Sequence, residues 1–371
     1  MPTANEGRAM AGWIGLATAA GALAGAGVGH AAALEIRNAA VRVVVVPEAR
    51  EDVSVTITHA NAGLPLSVVT GPQGRALVDG GLGLGPFGSR PVRCGPAGPG
   101  GWMLVWGAGR VAYEDLPQVV ARVPLNAVVA ADAAVFGEVG PADGLALKAA
   151  SCGAWTVANV KGALMIDNTG SARIRTGEAA EMTLRVSGSG DIETRAAARR
   201  LAAWVSGSGD IGVEQASGPI EAAVAGSGSI RIAGGQASSL QARTTGSGDI
   251  AYGGRADAAA AEATGSGAVR LAGVSQRLDV KLTGSGDMTV DEAAGAAVGA
   301  RLSGSGDLRI SRGHLSSLKT SISGSGGVSF GGVADRLEAR TSGSGWVRVD
   351  RVDGPIDTAS TGSGRVLIAE R

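Results

Sequence analysis

The sequence predicts an all-β protein: a right-handed parallel β-helix, or β-solenoid, of about ten to twelve coils with two short strands each, preceded by an irregular β region. Three observations lead there. Gly-Ser-Gly recurs with first glycines at 188, 207, 226, 246, 265, 284, 304, 324, 343 and 362, always 19 or 20 residues apart. Apolar residues two apart follow each copy, as on one face of a strand. The composition, with 62 Gly in 371 residues and only 3% aromatics, lacks the bulk for a thick globular core and suits a thin one filled by small and β-branched side chains.

Taken from the N-terminus, residues 1–33 read as a signal peptide. Arg8 precedes an apolar Ala/Gly/Leu stretch over residues 10–28, and Gly29-His30-Ala31-Ala32-Ala33 offers small-residue cleavage near Ala31 or Ala33. Glu6 offsets Arg8, so an uncleaved anchor is the alternative. Either way the expected location is outside the cytoplasm, in the periplasm or at the cell surface. Residues 34–148 form the expected N-terminal β region, opening with Val41-Arg42-Val43-Val44-Val45-Val46 and Val53-Ser54-Val55-Thr56-Ile57. A Gly/Pro stretch at 80–101, with Pro86, Pro91, Pro96 and Pro99, reads as a surface loop, and Trp102-Met103-Leu104-Val105-Trp106 follows as a strand. Cys94 and Cys152 are the only cysteines. An oxidising compartment lets such a pair bridge, and two buried thiols are the alternative.

Residues 149–371 are the repeat region. Gly170-Ser171-Ala172 and Ser151-Cys152-Gly153 are degenerate copies ahead of it. One strand follows each Gly-Ser-Gly, with Ile192, Ile211, Ile230, Ile250, Val269, Met288, Leu308, Val328, Val347 and Val366 inward and residues such as Arg231, Arg270, Arg309 and Arg348 outward. A second precedes it, as in Leu278-Asp279-Val280-Lys281-Leu282. The glycines, among them Gly188, Gly190, Gly207, Gly209, Gly246, Gly248, Gly284, Gly286, Gly304 and Gly306, are the expected corners, where a Cβ would clash with the next coil. Stability in such a stack is nearest-neighbour, with fraying ends. The last apolar strand, Val366-Leu367-Ile368, suggests weak self-association through its edge.

The runs Ser187-Gly188-Ser189-Gly190-Asp191-Ile192, Ser206 to Ile211, Thr245 to Ile250 and Ser303 to Leu308 resemble the head GIN domain family of auto-transporter adhesins, first defined as a domain of unknown function. The resemblance spans roughly residues 39–371. It implies an exported bacterial β-helix and brings no catalytic residues with it.

The balance of 33 basic and 33 acidic residues leaves no global field to attract nucleic acid. Four chemistries remain to weigh. Stacked Asp191/Asp210 and Asp287/Asp307 are the places for calcium, since like charges one coil apart repel unless screened; as corner carboxylates they would instead accept backbone N–H groups. The repeated serines have no base beside them and read as corner residues. Arg185, Arg243, Lys281, Arg301 and Arg340 form a partly basic outward column able to hold an envelope polysaccharide or a protein, or else to balance nearby acids. Trp204 and Trp346, also read as outward, could stack on sugars or pack over a neighbouring coil. Coil length varies by one residue, which leaves no loops to build a catalytic cleft. The expected function is therefore that of a non-catalytic, cofactor-free structural or adhesion module at the cell envelope. A glycan-binding or carbohydrate-active β-helix protein is the alternative.

Overall fold

The computed structural model describes residues 32–83 and 92–370. The predicted leader lies outside these except for Ala32 and Ala33, and so do Pro86 and Pro91 of the Gly/Pro stretch. The fold is the all-β solenoid the repeat predicts. Its parallel coils make about 13 turns among the described residues, because strands ahead of the repeats also wind as coils. Two compact units divide the chain: one runs to Thr183 and takes in Ser189–Glu193, the other comprises Leu184–Gly188 and Thr194–Arg371.

The first unit is built on β1 (Ala33–Glu48). Beside it in chain order come β2 (Ser54–His59), β3 (Ser67–Gly71), β4 (Arg75–Asp79), β5 (Val92–Cys94), β6 (Trp102–Val105), β7 (Gly109–Ala112), β8 (Gln118–Pro124) and β9 (Asn126–Val139). Strand β1 pairs in parallel with β4, β8 and β9, while β2 joins β8 and β3 joins β4 antiparallel. The core is a stack of identical registers. Leu34 lies against Val129, Val129 against Leu147 and Leu147 against Ile166, and all four are at most 1% exposed. Ala33 is itself a buried strand residue paired with Val128. Cleavage after Ala33 would remove the start of β1, whereas cleavage after Ala31 leaves it whole.

Strands β5, β6 and β7 form a separate three-stranded antiparallel sheet. Its inner face packs Met103 and Val105 on Ala40, Leu64, Leu116, Ala134 and Phe136. Cys94 of β5 is bonded to Cys152, 58 residues on. The described part of the Gly/Pro stretch is thus not simply a surface loop. It contains a strand, which the three residues Val92-Arg93-Cys94 among prolines and glycines are too few to announce.

In the second unit the predicted inward columns are present. Ile211, Ile230, Ile250, Val269, Met288, Leu308, Val328, Val347 and Val366 occupy successive rungs of one ladder. Leu201, Ile220, Leu240, Ala259, Leu278, Val298, Leu318, Leu337 and Ile356 occupy those of another. Between the two strands expected per coil the structure adds a third, short ladder: Ala237, Ala256, Val274, Ala293 and Gly313 stack in register. Register shifts flank it, as between Tyr252 and Arg255, so the chain bends there without leaving the hydrogen-bonded ladder.

Gly-Ser-Gly makes the corner that closes each coil. At six of these corners the carbonyl of the first glycine accepts two amides from the coil above: Gly284 O, for example, receives Ser305 N at 2.8 Å and Gly306 N at 3.2 Å. A core hydroxyl closes some of these corners from within, Thr244 Oγ1 donating to Gly248 O at 2.6 Å.

Candidate functional site

A groove of the second unit lies on the outer side of the strands that precede Gly-Ser-Gly. Alternation points every second residue of these strands outward, and identical register stacks the outward residues in columns. Two adjacent columns matter. One reads Trp204, Ala223, Arg243, Glu262, Lys281, Arg301. The other reads Glu221, Gln241, Ala260, Asp279, Gly299. Where the columns carry Ala223 and Ala260, nothing projects, and the longer neighbours leave a groove of about 390 Å³.

Trp204 closes one end. The Arg185 guanidinium lies 4.8 Å from its ring centre, while on the other side the column continues as Ala223, so the ring borders the groove. Farther along, Glu262 sits between two cations, 3.1 Å from Arg243 Nη2 and 2.6 Å from Lys281 Nζ. The hydrogen bond from Lys281, with help from Arg243, holds the Glu262 carboxyl below its ordinary range. Asp279 is held by both Arg277 nitrogens, Nε at 2.6 Å and Nη2 at 3.2 Å. Arg301 lines the same groove and makes no ion pair among the described residues.

The outward column is thus less basic than its arginines and lysine suggest. Four of the five cations read from the sequence are engaged. Arg185 stacks on Trp204, Arg243 and Lys281 share Glu262, and Arg340 meets both Glu338 and Asp357. The sequence reading missed Glu262, which occupies the same column and is legible from its position one repeat after Arg243. Because the lowered pKa belongs to the folded state, this cluster contributes stability at neutral pH and loses it as the pH falls through that value. Glu262 is only half-buried and both its partners are exposed, so Glu262→Gln should cost less than about 1 kcal/mol. Denaturation midpoints of parent and variant at pH 7 and in acid check this: the small gap at pH 7 should close in acid.

The remaining candidates are placed individually. Trp346 packs over the preceding coil, where a Cβ at Gly327 would come within 2.0 Å of its ring. Packing over a neighbour, the alternative weighed for it, is what the structure shows. The corner aspartates bind backbone. Asp210 Oδ1 accepts Ser229 N and Oγ at 2.7 Å each, Asp287 Oδ1 accepts Asp307 N at 2.9 Å, and Asp307 Oδ1 accepts Gly327 N at 2.7 Å. Asp191 faces Arg173 at 3.6 Å. Among the described residues no cluster of three or more His, Cys, Asp or Glu side chains comes together as for a metal. The terminal strand Arg365–Glu370 leaves Leu367 55% exposed.

Coils of nearly constant length, glycine corners and outward columns without long loops define a repetitive β-solenoid scaffold whose variable chemistry lies in its columns. The chain belongs to the family described as "putative auto-transporter adhesin, head GIN domain", whose model matches residues 124–256, 218–313 and 259–370. The match begins at residue 124, so the opening strands that the resemblance took in from residue 39 lie ahead of it. No curated protein and no solved structure matches the chain.

Proposed function

We propose that this protein is exported and acts without catalysis as an adhesion or binding module at the cell envelope. The observation that carries the reading is the family match over coils that return every 19 or 20 residues, which gives ranked side-chain columns and no loops to enclose a reaction. The apolar stretch at residues 10–28 and a bridged cysteine pair support export, since disulfides persist in oxidising compartments. Fractionation of the native cells tests it. The protein should be recovered in the envelope or outside the cell, beginning near Ala32, with no free thiol. Recovery from the cytoplasm with two free thiols would refute it.

The groove favours a second reading, in which an acidic polysaccharide lies along the columns. Successive rungs are about 4.8 Å apart, close to the length of one sugar unit, so a linear glycan could present one residue per coil. Arg301, with Arg243 freed from Glu262, would meet its carboxylates, and Trp204 would pack against a ring. Charge-assisted contacts of this kind contribute about 1.5–3 kcal/mol each. Arg243→Ala combined with Arg301→Ala should therefore weaken saturable binding on a glycan array by at least roughly tenfold. Binding that survives both substitutions places the ligand elsewhere.

A further inference from the structure

We propose that the outer face of the β5–β6–β7 sheet is a docking surface for an anionic lipid membrane. Strand alternation sorts this small sheet into two unlike faces. Met103 and Val105 point inward and are at most 1% exposed, whereas Leu104 is 43% exposed and Trp106, at the hairpin tip, 70%. These are two of the five exposed large hydrophobic residues among the described residues. The other three, Ile57, Val69 and Leu367, stand on three different strands.

The charge on this face has one sign. Arg93, Leu104 and Arg110 are directly opposite one another across the three strands, so an exposed leucine is flanked by two exposed arginines. Neither arginine has an ion pair among the described residues. In a chain with equal numbers of acids and bases, residues 80–113 contain three arginines and no Asp or Glu. The nearest following carboxylate, Glu114, accepts Gly100 N at 3.2 Å.

The geometry favours a lipid surface over a sugar chain. Trp102, the aromatic residue of β6, has its ring occupied. Arg110 lies 4.7 Å from the ring centre, and Gly95 approaches so closely that a Cβ there would fall 2.5 Å from the ring. Trp102 therefore positions Arg110 and leaves Trp106 alone to stack on a sugar. The tip, residues 106–110, is exposed throughout and projects rather than encloses. A projecting Trp beside an exposed Leu, flanked by two exposed guanidinium groups, suits the interface between acyl chains and phosphates. Glycines at 107 and 109, both with positive φ, allow the tight turn that presents Trp106.

The test is cosedimentation of the purified protein with vesicles of phosphatidylglycerol and phosphatidylcholine in equal parts, and with phosphatidylcholine alone. Binding to the anionic vesicles is expected, weakened by salt. Each of Arg93→Gln and Arg110→Gln should reduce it about fivefold, and the pair roughly 25-fold. Trp106→Ala should reduce it by roughly tenfold at every salt concentration. These side chains are outside the core, and unchanged circular dichroism will confirm that each variant is folded. Three results overturn the proposal: equal binding to neutral vesicles, no loss in any variant, or capture by soluble alginate with no vesicle binding. The last would assign the face to an acidic glycan.

Discussion

Gly304→Ala should sharply lower the denaturation midpoint, and Gly299→Ala, five residues earlier in the same strand, should leave it nearly unchanged. Gly304 has φ +134°, and a Cβ there would sit 2.2 Å from Gly284 O and 2.9 Å from Gly284 N. That carbonyl is the one that receives Ser305 N and Gly306 N. Alanine must therefore move the corner off the coil below, adding backbone strain to weakened corner hydrogen bonds. The cost is on the order of 3–5 kcal/mol. Gly299 faces outward with no positive φ, and the nearest atom to its Cβ would be Asp279 Oδ1 at 3.2 Å, the end of a side chain that can move. Alanine there should stay within about 1 kcal/mol of the parent and lean towards stabilising, since glycine weakens a strand interior. Guanidinium denaturation followed by circular dichroism separates the two. Matching midpoints would mean that close approach of stacked backbones does not set the corner sequence.

The same contrast explains what was legible in the sequence. The corner glycines and the columns that begin at Ile211 and Leu201 announce themselves because each rung needs the same residue type at the same phase. The middle ladder does not, because Ala237, Ala256, Ala293 and Gly313 are too small to print an apolar alternation, and the register shifts around it break the period. The candidate groove was half legible. Arg243, Lys281, Arg301 and Trp204 stand out by type, but the groove exists because Ala223 and Ala260 are missing bulk, and absence of bulk is silent in an alanine-rich chain. The corner aspartates were legible as a column, and the structure adds their nearest partners: Asp210, Asp287 and Asp307 each accept an amide one coil away. The β5–β7 sheet was the least legible part, since its contacts are with Ala40, Leu64 and Phe136, remote in sequence and outside the repeat.

That remoteness sets the second large effect. Removing the Cys94–Cys152 bond, by reduction or by Cys94→Ala with Cys152→Ala, should destabilise the first unit by roughly 4 kcal/mol, the loop-closure contribution for a 58-residue separation. The β5–β7 sheet is where the loss should appear. One face of this sheet is solvent, its strands are three or four residues long, and among the described residues the apolar cluster around Met103 and this bond hold it to the coils. Short antiparallel sheets of this size are marginal without such support. Coils bonded on both sides by in-register neighbours depend on those neighbours instead. Hydrogen exchange read by mass spectrometry distinguishes the two: amides of Trp102–Val105 should lose protection on reduction, while those of residues 278–282 in the second unit keep theirs. Equal protection of the sheet with and without the bond would show that the cluster around Met103 suffices, leaving the cysteines no structural role. Uniform loss across both segments would instead contradict the nearest-neighbour character of the stack.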